Sequence, residues 1–292
     1  NGIVIDKQDK ILEELKDFYK YLYTQPESVE RNNFYTDLDE YNDIPKLSRT
    51  ESNSIEGLLT EKEVISFLKK MKNDKTPGPD GFTCEFFKFF WKDIGSFVTR
   101  AINNSYEKQN FSACNKLGVI TCIPKAGKPK QFLKNWRPIS LLNVVYKIAS
   151  GCIAERIKLF LDKLIHKDQT GFIKGRFIGE NIRLIYDIMH YTEWNDVPGL
   201  LMLIDFEKAF DTISWKFIQE TLCFFNFGTS IQNWINLFYN DIKSCVIQNG
   251  IISQYFSPER GCRQGDPISP YLFVLCAEIL GILIRKNKDI KG

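Results

Sequence analysis

The sequence predicts an α+β fold in which helices pack on a small sheet, and three observations point there. Apolar residues recur at helical spacing over long stretches, the first being Ile11, Leu12, Leu15, Phe18, Tyr19 and Leu22. Short β-rich runs interrupt them: LGVITCI at 117–123, GLLMLID at 199–205 and CVIQNGIISQYF at 245–256. The last run turns at Asn249 and Gly250, the dipeptide best suited to a tight primed hairpin. With 292 residues, 43% of them hydrophobic, there is enough apolar surface for one large core or two smaller ones.

Each element follows from local chemistry. The first helix spans about 10–26 and is stopped by Pro26. Residues 27–57 are polar, acidic and aperiodic, as in a linker or loosely ordered loop. Thr60 and Glu63 form a capping box, followed by an apolar face of Val64, Ile65, Leu68 and Met71. That helix must end before KTPGPDG (75–81), where two prolines and two glycines enforce a stiff turn. A helical pattern then runs to about Gln109, followed by the strand 117–123 and a loop over 124–138. Helices are expected across about 141–165 and, after the turn at 171–180, as far as about Trp194. The apolar run 199–205 is expected to be a strand that carries Asp205 to the rim of a pocket. Helices near 214–226 and 230–240, the hairpin 245–256, a loop at 260–270 and a final helix complete the chain.

Composition narrows the function. Residues 1–63 hold 8 basic and 15 acidic side chains, whereas 64–292 hold 31 basic and 21 acidic. A basic main domain behind an acidic leader favours a polyanionic partner, although a merely well-solvated surface fits equally. No apolar stretch approaches the roughly 20 residues that cross a bilayer, and the first residues are not a secretory signal. No membrane partner is therefore expected, and the chain is assigned to the cell interior, nuclear or cytoplasmic. The eight cysteines show no CxxC spacing and there are only two histidines, so free thiols are expected, with no zinc site and no disulfide partner.

Three constellations carry chemistry. The loop 125–137 contains Lys125, Lys128, Lys130, Lys134 and Arg137 with no acidic residue, anchored by Trp136. Lysine supplies point charge and arginine a planar fork, which suits phosphate oxygens, although most charge runs are simply solvated. Asp205 ends an apolar run, where a carboxylate serves as base, nucleophile or Mg²⁺ ligand; the Phe206 carbonyl adds an oxygen. Asp211 fits a helix-capping role at least as well as a site role. In RQGDPISP (263–270), Gln264 and Gly265 let the backbone approach a ligand closely ahead of a helix start, or form an ordinary loop capped by Ser269.

Taken in order, IPKAGKPKQFLKNWRPISLLNVVYKI, LIDFEKAFDTI and RGCRQGDPISPYLF resemble successive motifs of reverse transcriptases from LINE-type (non-LTR) retrotransposons. KTPGPDGF (75–82) and DQTGFIKGRFIGENI (168–182) resemble segments of these enzymes and of group II intron relatives. The resemblance covers about 60–292 and implies a right-hand polymerase fold, with fingers and part of the palm. It further implies an RNA template, a DNA primer, deoxynucleoside triphosphates (dNTPs) and, in the complete enzyme, two Mg²⁺ ions. Asp205 matches the first catalytic aspartate and a metal ligand, and Phe206 a metal-binding carbonyl. Phe210 matches the aromatic that excludes a 2′-hydroxyl. Lys125 and Arg137 match fingers residues that hold the triphosphate, and Gln264 and Gly265 line the nucleotide and template site. Lys128, Lys174, Arg176 and Arg263 are assigned to the nucleic acid.

One departure stands beside the match. The family's next motif carries two adjacent aspartates, and no such pair occurs in this sequence. The expectation is a fingers–palm portion (60–292) behind a connecting segment (1–59), cut before that hairpin and inactive alone. Two other readings remain: a non-catalytic nucleic-acid-binding remnant of a decayed element, and a Mg²⁺-dependent phosphohydrolase built on Asp205 and Asp211.

Overall fold

The amphipathic stripe of the first helix has one place to go. In the computed structural model, which describes residues 5–24, 38, 41 and 43–289, helix α1 (Gln8–Tyr23) buries Leu12, Leu15, Tyr19 and Tyr23. Leu15, Tyr19 and Tyr23 pack against Ile120, Val246 and Phe256 on one face of a four-stranded sheet. Full burial of such side chains contributes about 1.5–3 kcal/mol each. The expected stop at Pro26 and most of 27–42 lie outside the described residues.

The sheet has the order β2-β1-β3-β4, with β1 at Leu117–Pro124, β2 at Trp136–Leu141, β3 at Lys243–Gln248 and β4 at Ile251–Ile252. β1 and β2 run antiparallel, with Ile123 opposite Arg137, while β1 and β3 are parallel, with Val119 opposite Cys245. The hairpin expected at 245–256 is present. Its turn residues Asn249 and Gly250 have φ of 50° and 79°, the left-handed pair that a primed turn requires.

The larger core lies among helices. α3 (Glu61–Lys70), α5 (Trp91–Glu107), α12 (Thr229–Tyr239) and α13 (Ser269–Lys286) surround α7 (Val144–Lys158). α7 buries residues on every side, as a helix through the middle of a core must. Aromatic rings knit these helices together: Tyr106 of α5 stacks on Trp234 of α12 at 4.3 Å, and Tyr146 of α7 meets Phe238 of α12 edge-on at 5.5 Å. The predicted capping box of α3 is formed, with the Glu63 N–H donating to Thr60 Oγ1 at 3.3 Å and the Thr60 N–H to Glu63 Oε2 at 2.8 Å.

Residues 43–57, expected as linker or loose loop, are instead part of this core. They contain the short helix α2 (Arg49–Ser54) and bury Ile44, Leu47 and Ile55. Arg156 on α7 holds the stretch that follows, donating to the carbonyls of Ile55 (3.0 Å), Gly57 (2.9 Å) and Leu58 (2.8 Å) and to Glu63 Oε1 (2.7 Å). Isolated anchors held by a distant arginine leave no periodicity in the sequence, which is why the stretch looked structureless.

Helix α6 (Ala113–Lys116) leads into β1 and α11 (Trp215–Phe224) lies near the expected 214–226, while other boundaries moved for local reasons. The helix expected up to Gln109 is two, α4 (Cys84–Phe89) and α5, meeting at Phe90. The one expected over 141–165 divides into α7 and α8 (Leu161–Leu164). β2 was missed because Pro138 argues against a strand; it fits because β2 is an edge strand, where a missing N–H costs little.

The expected strand at 199–205 is not formed. Residues 201–206 adopt no regular structure, and Leu200, Leu201, Met202, Leu203 and Ile204 are 55–86% exposed. β-propensity describes fit to a half-buried pleated surface, and a strand also needs a neighbour to take its N–H and C=O groups. Among the described residues none pairs with this run. The preceding helix α9 (Ile178–Trp194) likewise buries none of its residues.

Candidate active site

Three chain segments meet along the edge strand β2 and the loop that leads into it. The basic loop between β1 and β2 is held by its own backbone: the Lys125 N–H donates to Asn135 O at 2.8 Å and Trp136 Nε1 to Lys130 O at 2.8 Å. Lys125 is half-buried, while Lys128, Lys130, Lys134 and Arg137 are exposed. Trp136 is thus the anchor that its position suggested.

The second segment follows Asp205. Lys208 has φ of 56° and its ammonium reaches Trp136 O at 3.4 Å, joining this segment to the hairpin. Burial, and next the neighbouring Lys125 cation, push the Lys208 ammonium below its ordinary value, while Asp211 pulls the other way. A single helical turn, α10 (Ala209–Thr212), then presents Phe210 and Asp211. Phe210 stacks on Phe273 at 4.7 Å and meets the edge of Phe172 at 6.1 Å. Asp211 is 0% exposed and accepts from Tyr23 Oη at 2.8 Å and from Gln264 Nε2 at 3.1 Å on both carboxylate oxygens. Burial raises the Asp211 carboxyl above the usual carboxylate range against the pull of these two donors and of Lys208.

The third segment, 260–266, threads between the other two. The Gly261 N–H donates to Ile213 O at 2.7 Å and the Cys262 N–H to Phe210 O at 2.6 Å, while Ser140 of β2 donates to Gln264 O at 2.7 Å. Gly265 has φ of +110°, and a Cβ there would lie 2.7 Å from Ser140 O. The close approach of this glycine is to β2, within the chain itself.

Asp205 and Phe206 precede this junction on the exposed stretch. Among the described residues nothing hydrogen-bonds the Asp205 carboxylate, which is open to solvent. The Phe206 side chain lines an apolar groove with Ala209, Phe273 and Leu280. An exposed carboxylate beside a backbone carbonyl fits hard-cation chemistry as a partial ligand set. It is not a whole site: among the described residues no three His, Cys, Asp or Glu side chains gather as a metal cluster, and Asp211 is committed to Tyr23 and Gln264.

The four residues assigned to nucleic acid divide into two pairs. Lys128 and Lys174 are exposed. Arg176 is not available: its guanidinium donates to the carbonyls of His166 (2.6 Å), Gln169 (2.9 Å) and Ile165 (3.0 Å) and to Asp162 Oδ1 (2.8 Å), closing the chain around α8. Arg263 is 5% exposed, lies over the Tyr146 ring at 5.1 Å and presents no guanidinium nitrogen to the surface. Beside it Asp266, also buried, accepts from Tyr146 Oη at 2.8 Å. Sequence reasoning missed Tyr23, Lys208 and the Tyr146–Asp266 pair as parts of this junction. Lys208 had a signal in its place between Asp205 and Asp211; Tyr23, far away in sequence, had none.

A basic hairpin loop, the segment that carries Asp205 to Asp211 and the loop through Gly265 thus lie together beside a small sheet, and these are the segments whose sequences resemble polymerase motifs. Residues 123–291 match the reverse transcriptase (RNA-dependent DNA polymerase) family, and the chain belongs to it. It is 30% identical over 98% of its length to the transposon TX1 uncharacterized 149 kDa protein of Xenopus laevis, covering 22% of that protein. It is 26% identical over 76% of its length to the retrovirus-related Pol polyprotein from the type-2 retrotransposable element R2DM of Drosophila melanogaster, covering 20% of it. A probable RNA-directed DNA polymerase from transposon X-element, also of Drosophila melanogaster, is 27% identical over 73% of the chain and 24% of its own length. The chain therefore spans about a fifth to a quarter of these relatives. All eight cysteines are free thiols, and among the described residues no helix is long and apolar enough to cross a membrane.

Proposed function

We propose that this chain is the fingers and partial palm of a non-LTR retrotransposon reverse transcriptase, which copies RNA into DNA by adding dNTPs to a primer 3′-hydroxyl. The observation that carries this reading is that Lys125 and Lys208, Phe210 and Asp211, and Gln264 and Gly265 are joined to one another along the edge strand β2. Lys125 and Arg137 neutralise triphosphate charge; one is half-buried beside Lys208 and the other exposed on the strand opposite Ile123. Phe210, fixed between Phe273 and Phe172, presents a rigid ring against which a ribose 2′-hydroxyl would be tested. Gln264 and Gly265 bring backbone close to the nucleotide and template. The Asp205 carboxylate and Phe206 carbonyl would hold Mg²⁺, two ions in the complete enzyme, which would supply positive charge beside the α-phosphate. The RNA template and DNA primer lie along the basic surface that includes Lys128 and Lys174, held through their backbones. The place of work is inside the cell, where nucleic acid and dNTPs are found.

Asp205 is one carboxylate of the set, so the activity assay belongs to a polypeptide that supplies the others. In it, Mg²⁺-dependent dNTP incorporation on an RNA template is expected and is lost in Asp205→Asn. RNA binding without incorporation in the wild type would favour the non-catalytic binder. Phosphate release that survives Lys125→Ala and Gln264→Ala but not Asp211→Asn would favour the phosphohydrolase.

A further inference from the structure

Gln264 is a flexible side chain with a specific orientation, and what fixes it comes from the far end of the sequence. Its Nε2 donates to both oxygens of Asp211 at 3.1 Å, which leaves Oε1 as the side-chain atom still open to a ligand. Asp211 is fully buried, and a buried carboxylate is kept in place only by the donors around it. One of those donors is Tyr23 Oη on α1, at 2.8 Å.

The rest of α1 is anchored to the same loop and sheet. Arg260 Nε donates to Leu22 O at 3.0 Å and the Glu259 N–H to Tyr23 O at 2.9 Å, so the loop that carries Gln264 is tied to the helix end. At the other end Gln8 Nε2 donates to Gln248 O at 3.2 Å, and Asn249 Nδ2 donates to Gln8 Oε1 at 3.0 Å. Lys208 lies over the Phe18 ring at 5.6 Å. Covering the apolar sheet face needs only Leu15, Tyr19 and a ring at position 23. The hydroxyl of Tyr23 is an addition that packing does not ask for.

We infer that α1 is a working part of the nucleotide site: Tyr23 and Asp211 are positioning residues that hold the Gln264 amide in the orientation that meets the incoming nucleotide. This rests on the reverse transcriptase reading. It also gives the leader a reason to be covalently attached to the polymerase, since one hydroxyl sets how Gln264 faces its ligand.

The test is Tyr23→Phe, Gln264→Ala and their combination in the polypeptide active in the incorporation assay. Tyr23→Phe keeps the ring and removes only the hydroxyl. The dNTP KM is expected to rise by about fivefold or more, with kcat falling less than about twofold, because the lost interaction acts on binding. The double variant is expected to match Gln264→Ala alone, since both changes remove one linked unit. An unchanged KM in Tyr23→Phe, or additive effects in the double variant, overturns the inference. A cryo-EM map of the Tyr23→Phe polypeptide separates this from failure of the polymerase reading. Absence of incorporation by the wild type defeats that reading alone. A Gln264 amide still seated on Asp211 without the hydroxyl defeats the wiring, and a rotated amide supports it.

Discussion

Ser140 donates its N–H to the carbonyl of Gln264 at 2.7 Å, and the next residue, Gly265, passes so close that a methyl group would sit 2.7 Å from Ser140 O. The edge strand β2 and the loop after Arg263 are thus one rigid joint. Gly265→Ala combines a left-handed φ with that collision and is expected to lower stability by on the order of 1–3 kcal/mol. Denaturant unfolding checks this; an unchanged midpoint would mean that the joint can open without penalty.

Two aspartates six residues apart should respond oppositely to the same change. Asp205 is exposed, so Asp205→Asn is expected to keep stability within about 0.5 kcal/mol while ending incorporation. Asp211 is buried on two donors, so Asp211→Asn is expected to cost about 1–3 kcal/mol. The folded state raises the Asp211 pKa, so the stability that this group adds is complete below the ordinary carboxylate range and is lost as pH rises through its raised value. The gap between wild type and Asp211→Asn should therefore narrow from acid toward neutral pH. Urea titrations at several pH values measure it, and a gap that widens would contradict the burial.

The opposite sign is expected at Glu63. Burial raises its pKa, but the Arg156 guanidinium and the Thr60 cap outweigh this and hold it below its ordinary value. Its contribution is present above the ordinary glutamate range, near about 4.3, and is lost as pH falls through the lowered value. Glu63→Gln should flatten the acid limb of a stability profile. Arg156→Ala, which also frees three backbone carbonyls, should cost about 3–5 kcal/mol.

Salt dependence separates the four basic side chains assigned to nucleic acid. Lys128→Ala and Lys174→Ala should each weaken RNA binding and reduce the slope of log affinity against log salt by about 1. Arg176→Ala and Arg263→Ala should leave that slope as it is and lower the unfolding midpoint, because both guanidinium groups face inward. A slope change in Arg263→Ala would mean that its buried position is not the one that meets RNA.

How much of this was legible in the sequence depends on the range of the interaction. The Thr60–Glu63 cap and the Asn249–Gly250 hairpin are set within a few residues, and each was read correctly; Gly265 was expected to approach a ligand, and the contact it makes is with Ser140, far away in sequence. Pro138 misled because edge position is a property of the sheet, not of the run. The apolar stretch 199–205 misled for the same reason, since strand formation needs a partner that residue types do not announce. Arg176 and Arg263 looked like surface charge, as arginines usually are, and only the fold shows one closing a helix end and the other lying on Tyr146. The order of motifs revealed the family, yet Tyr23 and Asp211 lie 188 positions apart, and nothing local to either named the other.

The docking of α1 also sets a schedule for synthesis. The helix is among the first parts of this sequence made, yet Val246 and Phe256, which cover its stripe, come more than two hundred residues later. At ribosomal speeds of roughly 5–20 residues per second, Leu15, Tyr19 and Tyr23 wait on the order of ten seconds to a minute for their partners. β1 waits about half as long for β3, its parallel neighbour. Through that interval the newborn chain carries an open apolar stripe and an unfilled strand edge, the kind of surface from which unfinished chains aggregate.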